Sequence, residues 1–332
     1  MAVNVALLGA GRIGKVHAKA VSMSEGATVV AVADAFEEAA NALAQAYGAR
    51  VSSIDEIAAA SDVDAVIICT PTDTHADLIE QFVKAGKAVF CEKPIDLSLE
   101  RVKSCLKTVE DLDGTLMLGF NRRFDPHFRA VKEAIEAGRI GDVESVHITS
   151  RDPGAPPPAY IQSSGGIFRD MTIHDFDMAR FLLGEEVTSV FATASVLVDP
   201  EIGKLGDYDS AMVVLTTASG KQCAISNSRR ATYGYDQRIE VHGSKGVVSA
   251  ENQRPVSIEV ATAEGYTRPP LHDFFMTRYT EAYAAEITTF VEAINQGQAP
   301  QPSGEDGLKA LALAEAAVKS VAERRAIGMD EI

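Results

Sequence analysis

The feature that most constrains the fold is a glycine-rich turn near the start of the chain. Residues 9–14 read Gly-Ala-Gly-Arg-Ile-Gly, after an apolar run from Val3 to Leu8 and before a helix-compatible stretch to about Met23. Asp34 follows the last glycine by 20 residues, at the end of a second apolar run. A strand, a glycine turn, a helix and an acidic residue in this order predict a βαβ unit that binds a dinucleotide.

Each glycine of this turn has a separate physical role in such a unit. Gly9 permits the tight turn, Gly11 lets the backbone approach a pyrophosphate, and Gly14 allows the helix to pack closely on the sheet. Arg12 and Ile13 lie between them, where the N-terminus of the helix faces the phosphates. The alternative is a glycine turn that serves packing alone.

The end of the second apolar run indicates which dinucleotide is bound. A carboxylate at Asp34 would accept hydrogen bonds from the adenosine ribose and repel a 2′-phosphate. Ala35 and Phe36, the next two residues, supply no positive charge to hold that phosphate. The sequence therefore predicts NAD as the cofactor in preference to NADP.

The remaining pattern predicts two domains of different character. From residue 3 to about 119, short apolar runs alternate with amphipathic helical segments, which is typical of a doubly wound parallel sheet, the Rossmann fold. Beyond about residue 142 the chain has hairpin signals, at 211–227 and 238–250, typical of an α+β domain with a large, mostly antiparallel open sheet. We place the domains at 1–120 and 121–332. The alanine-rich helical segments at 281–296 and 306–326 could pack on either domain.

One helix of the first domain shows its buried face in the sequence. Apolar residues between positions 36 and 47 recur at intervals of three and four, which predicts a continuous stripe that packs on the sheet. The residues of this stripe are Phe36, Ala39, Ala40, Leu43, Ala44 and Tyr47. A serine and a glutamate, Ser53 and Glu56, predict a capping box before the next short helix.

Charge and cysteine content exclude several classes of partner. The chain has 31 Lys and Arg against 47 Asp and Glu, a net charge of −16 that repels nucleic acid and anionic membranes. Its longest apolar stretch is too short to span a bilayer, and its N-terminus lacks a basic leader, so we expect a cytoplasmic protein. The four cysteines form no CxxC pair and are predicted to be small buried hydrophobes.

Two segments follow buried strands and are expected at the carboxyl edge of the sheet, where ligands bind in such folds. The first begins at Thr70 and reaches His75, at a helix start; both are predicted to contact the cofactor, although His75 could serve the helix alone. The second is Cys-Glu-Lys-Pro at 91–94, which puts Glu92 and Lys93 beside the expected nicotinamide. Lys93 as an ordinary surface ammonium is the alternative.

A polar stripe in the second domain supplies the candidate chemistry. If residues 170–183 are helical, Asp170, His174 and Asp177 lie at i, i+4 and i+7 on one face. A histidine suits the removal of a hydroxyl proton while hydride leaves carbon, and Asp170 could orient it or bind a neighbouring hydroxyl. Lys93 could donate to the reacting oxygen and stabilise alkoxide charge. A metal site on the Asp/His face is the competing interpretation.

In order and spacing, the segments at 9–14, 91–94 and 170–184, together with Asp34, resemble the Gfo/Idh/MocA oxidoreductase family over essentially the whole chain. The segments at 119–128, 151–168 and 233–246 are similar to its inositol-oxidising branch. The chain departs from the family at Thr72, where asparagine is expected. The resemblance implies a Rossmann domain and a C-terminal domain whose open sheet mediates oligomerisation, commonly to a homotetramer.

The resemblance also implies site residues and an activity. Lys93, Asp170 and His174 match the catalytic set, and Arg122 and Tyr235 match substrate contacts. Arg122 or Arg123 could instead form a surface ion pair, and Tyr235 could be a loop aromatic. The implied reaction is NAD-dependent oxidation of a ring hydroxyl of a cyclic polyol, such as myo-inositol to 2-keto-myo-inositol, with no metal.

Other functions remain open at the level of the sequence. A sister enzyme of the same family would oxidise scyllo-inositol or a pyranose such as glucose. A cofactor-binding regulator would need no proton acceptor, so the combination of Lys93, Asp170 and His174 argues against it. A metal-assisted hydrolase would lose activity on chelation and ignore NAD.

Overall fold

Residues 2–332 are described by a computed structural model, in which the chain forms two compact units. The first unit is the chain up to Asp125 together with Thr280–Leu311. The second unit is Pro126–Tyr279 together with Ala312–Ile332. The first of the two C-terminal helical segments thus belongs with the N-terminal unit, and most of the second with the other.

The first unit contains a six-stranded, fully parallel sheet in the order β3-β2-β1-β4-β5-β6. Its strands are β1 (Val3–Leu8), β2 (Ala27–Ala33), β3 (Arg50–Val51), β4 (Ala65–Ile68), β5 (Ala88–Cys91) and β6 (Leu116–Leu118). The central strands are apolar throughout because helices cover both faces of the sheet. The strand order reverses between β1 and β4, which is the switch point where ligands bind in open α/β sheets. The predicted doubly wound fold is confirmed.

Helices flank this sheet and complete the unit. They are α1 (Arg12–Met23), α2 (Glu37–Tyr47), α3 (Ile54–Ala59), α4 (His75–Lys84), α5 (Leu99–Asp111) and α11 (Thr280–Gln296), with 3₁₀ turns at Thr72–Thr74 and Asn121–Phe124. The predicted capping box of Ser53 and Glu56 opens α3. The prediction for Phe36 is wrong: it precedes α2 and is 78% exposed, so the buried stripe starts after it.

The second unit contains a seven-stranded mixed sheet in the order β12-β11-β7-β10-β9-β8-β15. All neighbouring pairs are antiparallel except β7 with β10. Its strands are β7 (Val143–Arg151), β8 (Val187–Ser195), β9 (Ser210–Thr217), β10 (Gln222–Ser228), β11 (Asp236–Gly243), β12 (Gly246–Ala250) and β15 (Ile327–Gly328). A separate hairpin pairs β13 (Val260–Thr262) with β14 (Gly265–Thr267). Both predicted hairpins, β9–β10 and β11–β12, are formed.

One face of the seven-stranded sheet is covered and the other is open. Along β9, Ala211, Val213 and Leu215 are buried while Met212 and Val214 are exposed, the alternation of a half-covered sheet. The remaining helices are α6 (Pro126–Glu136), α7 (Pro158–Ser163), α8 (Ile173–Leu183), α9 (Pro200–Lys204), α10 (Phe275–Arg278) and α12 (Gly304–Glu323). Of these, α8 packs against β7 and β10. The covered face therefore carries the segment with the candidate chemistry.

All four cysteines are buried and free, as predicted. Burial raises the pKa of each thiol, that of Cys105 to about 12. Thiols with raised pKa values are poor nucleophiles at neutral pH. The cysteines therefore serve packing.

Candidate active site

The glycine loop after β1 forms a cradle without side chains. Gly9 has φ +101°, and a Cβ there would lie 2.6 Å from the carbonyl oxygen of Cys69. A Cβ on Gly14 would lie 2.0 Å from the carbonyl oxygen of Gly9, so α1 can pack this closely only with glycine. Around Gly11 the space is open to 4 Å. This combination of tight and open positions fits a pyrophosphate against the backbone.

The start of α1 and the end of β2 complete the dinucleotide half of the site. Helix α1 begins at Arg12, followed by Ile13, and within residues 2–332 no side chain caps it and no acidic residue lies in its first turn. Asp34 lies beside the loop: its Oδ2 accepts the N–H of Ala10 at 2.5 Å and its Oδ1 accepts the N–H of Phe36 at 2.7 Å. Each carboxylate oxygen has a second lone pair, so Asp34 can still accept hydrogen bonds from ribose hydroxyls.

We expect Asp34→Ala combined with Ala35→Arg to move the cofactor preference toward NADP. Removing the carboxylate removes repulsion of a 2′-phosphate, and the arginine adds a charge-assisted bond worth about 1.5–3 kcal/mol, or roughly 10–100-fold in the ratio of kcat/KM values. The ratio is measured from initial rates with each cofactor, with Ala35→Arg alone as the control. An unaltered ratio in the double variant means that another group reads the ribose.

The loops after β4 and β5 are tied together by His75. This histidine is buried, with Nδ1 2.8 Å from the carbonyl oxygen of Pro94 and Nε2 2.8 Å from that of Thr70. Lys93 is half-buried at the end of β5, and its peptide bond to Pro94 is cis. His75 thus positions the loop that carries Lys93, a role that the sequence did not show. Direct contacts of Thr70 and His75 with a cofactor stay predictions.

Glu92 is fixed by a histidine that sequence reasoning missed. Its Oε1 lies 2.6 Å from Nε2 of His17, a fully buried residue of α1 whose ring packs edge-on against Phe90 and Tyr283. The sequence feature that could have indicated His17 is its position on the buried face of α1, among apolar residues. Burial, and then the charge of Glu92, raises the pKa of Glu286 on α11 well above its usual value. Glu92, which precedes Lys93 in the chain, is therefore part of a largely buried polar cluster with His17 and Glu286.

In the second unit, Asp170 and His174 do not share one regular α-helix, which corrects the predicted i, i+4, i+7 stripe. Asp170 lies in a π-helical turn, Phe168–Thr172, and His174 lies at the start of α8 with Asp177 one turn later. In a π-helical turn a hydrogen bond joins residues five positions apart instead of four. The direction in which Asp170 leaves the helix axis therefore differs from that expected in a regular α-helix. Such turns are frequent at functional sites.

A buried asparagine holds the segment around His174. Asn227 on β10 donates from Nδ2 to Asp175 Oδ2 at 2.7 Å and accepts at Oδ1 from the hydroxyl of Thr172 at 2.7 Å. These contacts clamp the backbone on both sides of His174 to the sheet. Neither Asn227 nor Asp175 was singled out from the sequence, because their pairing joins positions 52 residues apart.

The two expected substrate contacts occupy different units. Arg122 is buried in the 3₁₀ turn of the first unit, and the neighbouring Arg123 forms an ion pair at 2.9 Å with Asp306. Tyr235, in the second unit, packs edge-on against Phe274 and Tyr279 with ring centroids 5.6 and 5.9 Å away. Contact of Arg122 or Tyr235 with a substrate stays a prediction.

The described chain has neither a candidate metal centre nor a helix that could span a membrane. Within residues 2–332 no group of three or more His, Cys, Asp or Glu side chains is arranged to hold a metal ion. Across the same residues, no helix combines the length and hydropathy needed to cross a membrane.

The parallel sheet in this strand order, the glycine cradle and the acid after β2 define a dinucleotide-binding protein. The second unit carries Asp170 and His174, the acid and histidine predicted to act on the hydroxyl of an alcohol. The chain belongs to the GFO/IDH/MocA oxidoreductase family: residues 3–120 match its NAD-binding Rossmann fold and residues 128–249 its C-terminal domain. The resemblance seen in the sequence is confirmed, and the cofactor is NAD.

Individual relatives are similar over the full length. The chain is 72% identical to inositol 2-dehydrogenase of Rhizobium meliloti, over 99% of this chain and 100% of the relative. The crystal structure of a myo-inositol dehydrogenase from Corynebacterium glutamicum is 44% identical with a TM-score of 0.95, covering 99% of both chains. That of scyllo-inositol dehydrogenase from Lactobacillus casei, with NAD(H) and scyllo-inositol, is 28% identical with a TM-score of 0.92, covering 99% and 100%.

Proposed function

We propose that this protein oxidises one ring hydroxyl of a cyclic polyol to a ketone with NAD, and that its substrate is myo-inositol, giving 2-keto-myo-inositol. The observation that carries the proposal is the 72% identity to an inositol 2-dehydrogenase over the whole of both chains. A polyol also suits Lys, Arg, Asp, His and Tyr side chains, because each buried hydroxyl must be paired as donor and acceptor.

The reaction breaks one C–H and one O–H bond of the substrate and forms a carbonyl. Bound NAD supplies the acceptor for the hydride, which leaves with the electron pair of the C–H bond. His174 accepts the hydroxyl proton in the same step. Lys93 donates a hydrogen bond to the reacting oxygen and stabilises the negative charge that develops there. Asp170 orients His174 or binds a neighbouring hydroxyl.

The remaining site residues bind the cofactor and the substrate. Gly9, Gly11 and Gly14, with the backbone at Arg12 and Ile13, hold the pyrophosphate, and Asp34 holds the adenosine ribose. Thr70, His75, Glu92 and Lys93 line the nicotinamide end of the site, and Arg122 and Tyr235 hold substrate hydroxyls. Support for the first group is the shape of the loop, in which two glycines leave no room for a Cβ and the third faces open space.

The test is the initial rate of NADH formation by the purified protein with myo-inositol, scyllo-inositol, D-chiro-inositol, glucose and xylose. The panel is repeated with NADP and with a chelator. We expect the highest kcat/KM with myo-inositol and NAD, unchanged by chelation. A higher value with scyllo-inositol or glucose assigns the chain to a sister activity. No turnover with any of the five, together with NADH binding, overturns the inositol assignment and leaves either oxidation of another sugar or a cofactor-binding regulator.

We also propose that the protein is a cytoplasmic homotetramer assembled through the open face of the seven-stranded sheet. NAD is an intracellular cofactor, which supports the location. The open face carries an apolar patch made of Phe191 on β8, Met212 and Val214 on β9, and Leu197 beyond β8, all exposed. Phe191 and Val214 pair across the two strands. Contiguous exposed apolar surface of this kind is typical of an interface between proteins.

Met212→Glu with Val214→Glu is expected to dissociate the assembly into smaller species. Like charges that face each other in an interface between two copies destabilise the assembly by several kcal/mol. Sedimentation velocity measures the size distribution. The matched control is Val51→Glu with Leu112→Glu, two exposed apolar residues of the first unit. An unchanged tetramer in the sheet variant contradicts this interface, and a monomeric native protein contradicts the tetramer.

A further inference from the structure

The second unit contains a buried cation that the proposed reaction does not use. Arg229 follows β10 directly and is the largest fully buried side chain in residues 2–332, with 1% of its surface exposed. Its Nη1 and Nη2 lie 3.2 and 3.3 Å from Oδ2 of Asp170, and Nη2 lies 3.5 Å from Oδ2 of Asp207. The guanidinium therefore bridges two carboxylates, one of which is a candidate site residue.

Asp207 is itself fixed to the backbone just before the π-helical turn. Its Oδ1 accepts the N–H of Ile167 at 2.9 Å. Gly166 has φ +85°, and a Cβ on it would lie 2.8 Å from the same oxygen. The glycine thus gives Asp207 access to the loop that leads into Asp170. Both ends of the bridge are attached to the same short segment, which limits how far Asp170 can move.

The two oxygens of Asp170 have partners of different kinds. Oδ2 binds Arg229 in the interior, where a charge is stable only when paired and hydrogen-bonded. Oδ1 accepts the hydroxyl of Tyr160, an exposed residue of α7, at 2.8 Å. Donors on both oxygens fix the plane of the carboxylate. Water could take the place of the exposed Tyr160 hydroxyl, but it cannot reach the buried N–H donors of Arg229.

We propose that Arg229 is a positioning residue for the oxidation: held by Asp207, its guanidinium fixes the carboxylate of Asp170 in the orientation that the reaction needs. This inference rests on the proposed function, in which Asp170 orients His174 or binds a substrate hydroxyl. Being buried, Arg229 acts through Asp170. Nothing in the sequence marked it, because Arg229 and Asp170 are 59 residues apart.

The test is a double-mutant cycle on the full-length enzyme with myo-inositol and saturating NAD. The variants are Arg229→Gln, Arg229→Lys, Asp170→Asn and the pair Arg229→Gln with Asp170→Asn. Arg229→Gln is expected to lower kcat about 100-fold, since displacing a catalytic group by about 1 Å costs this much. The kcat of Arg229→Lys is expected to lie between that of the glutamine variant and that of the wild type, because lysine keeps the charge and loses the planar guanidinium with its two parallel donors.

Two readouts separate positioning from mere structural support. In the Asp170→Asn background, Arg229→Gln should lower the residual kcat by less than about twofold, because the group that Arg229 positions is already gone. The Kd for NADH, measured by fluorescence titration, should stay unchanged in all variants. The control is Arg180→Gln, which removes another largely buried arginine that pairs bidentately with a carboxylate, that of Glu186, and should leave kcat unchanged.

The outcomes distinguish this inference from the proposed function. Loss of activity in Asp170→Asn with wild-type kcat in Arg229→Gln overturns the role of Arg229 and leaves the proposed function intact. An equal loss from Arg229→Gln in both backgrounds also overturns it, because the effect is then independent of Asp170. Wild-type kcat in Asp170→Asn overturns the assignment of Asp170, and the inference with it. If Arg229→Gln does not fold, Arg229→Lys decides: a wild-type kcat overturns the proposal.

Discussion

With His174 replaced by alanine, kcat for polyol oxidation is expected to fall by about 10²–10⁴-fold, the contribution typical of a positioned general base. The hydroxyl proton must leave as the hydride departs, and in the variant only water or hydroxide can accept it. The residual rate should therefore increase with hydroxide concentration. NADH formation at saturating NAD and myo-inositol measures the loss.

Cofactor binding should survive this substitution. His174 lies on α8 of the second unit, whereas the glycine loop and Asp34 belong to the first. The Kd for NADH is expected to match that of the unaltered protein. His127→Ala is the matched control, because this histidine is exposed on α6 of the second unit, away from the open face of the sheet. A variant at position 174 with the original kcat would refute the assignment of the base.

Much of the first unit could be predicted because its signals are local. The capping box of Ser53 and Glu56 is predicted correctly, because its two residues lie three positions apart and need no distant contact. The glycine loop and Asp34 carry their own spacing rule. The hairpins of the second unit were equally visible, because each joins neighbouring segments.

What the sequence did not show depends on contacts between distant positions. β7 lies between β10 and β11 and pairs in parallel with β10, whose partner residues lie 77 positions later in the chain, as Gln222 does from Ser145. The π-helical turn before His174 interrupts the segment that the spacing of Asp170, His174 and Asp177 describes as one helix. A buried ion pair such as that of Arg229 with Asp170 has no local signature.

The same limit applies to the supports behind the candidate residues. His17 holds Glu92, His75 joins the loops that follow β4 and β5, and Asn227 clamps the segment around His174. Sequence reasoning finds residues whose chemistry matches a reaction, whereas their supports differ little from ordinary polar residues until the fold places them. Side chains held by such supports keep the geometry that catalysis requires.

Lys93→Met is expected to lower kcat by about 10²–10³-fold, the usual cost of removing one donor from a developing oxyanion. Methionine keeps an unbranched side chain of similar length and removes only the ammonium group, so packing at the end of β5 should change little. In the proposed mechanism, the hydrogen bond that Lys93 donates strengthens as negative charge grows on the reacting oxygen. The loss should therefore appear in kcat more than in KM for the polyol.

The control for this substitution is Lys103→Met, which removes an exposed ammonium from α5 and should leave kcat unchanged. Measuring KM for NAD in parallel separates the two roles proposed for Lys93. A rise in KM for NAD with the original kcat would restrict Lys93 to cofactor binding and leave the reacting oxygen without this donor. A fall in kcat with little change in KM for NAD assigns it to the chemical step, because a donor that acts only on the developing charge contributes nothing to the bound ground state.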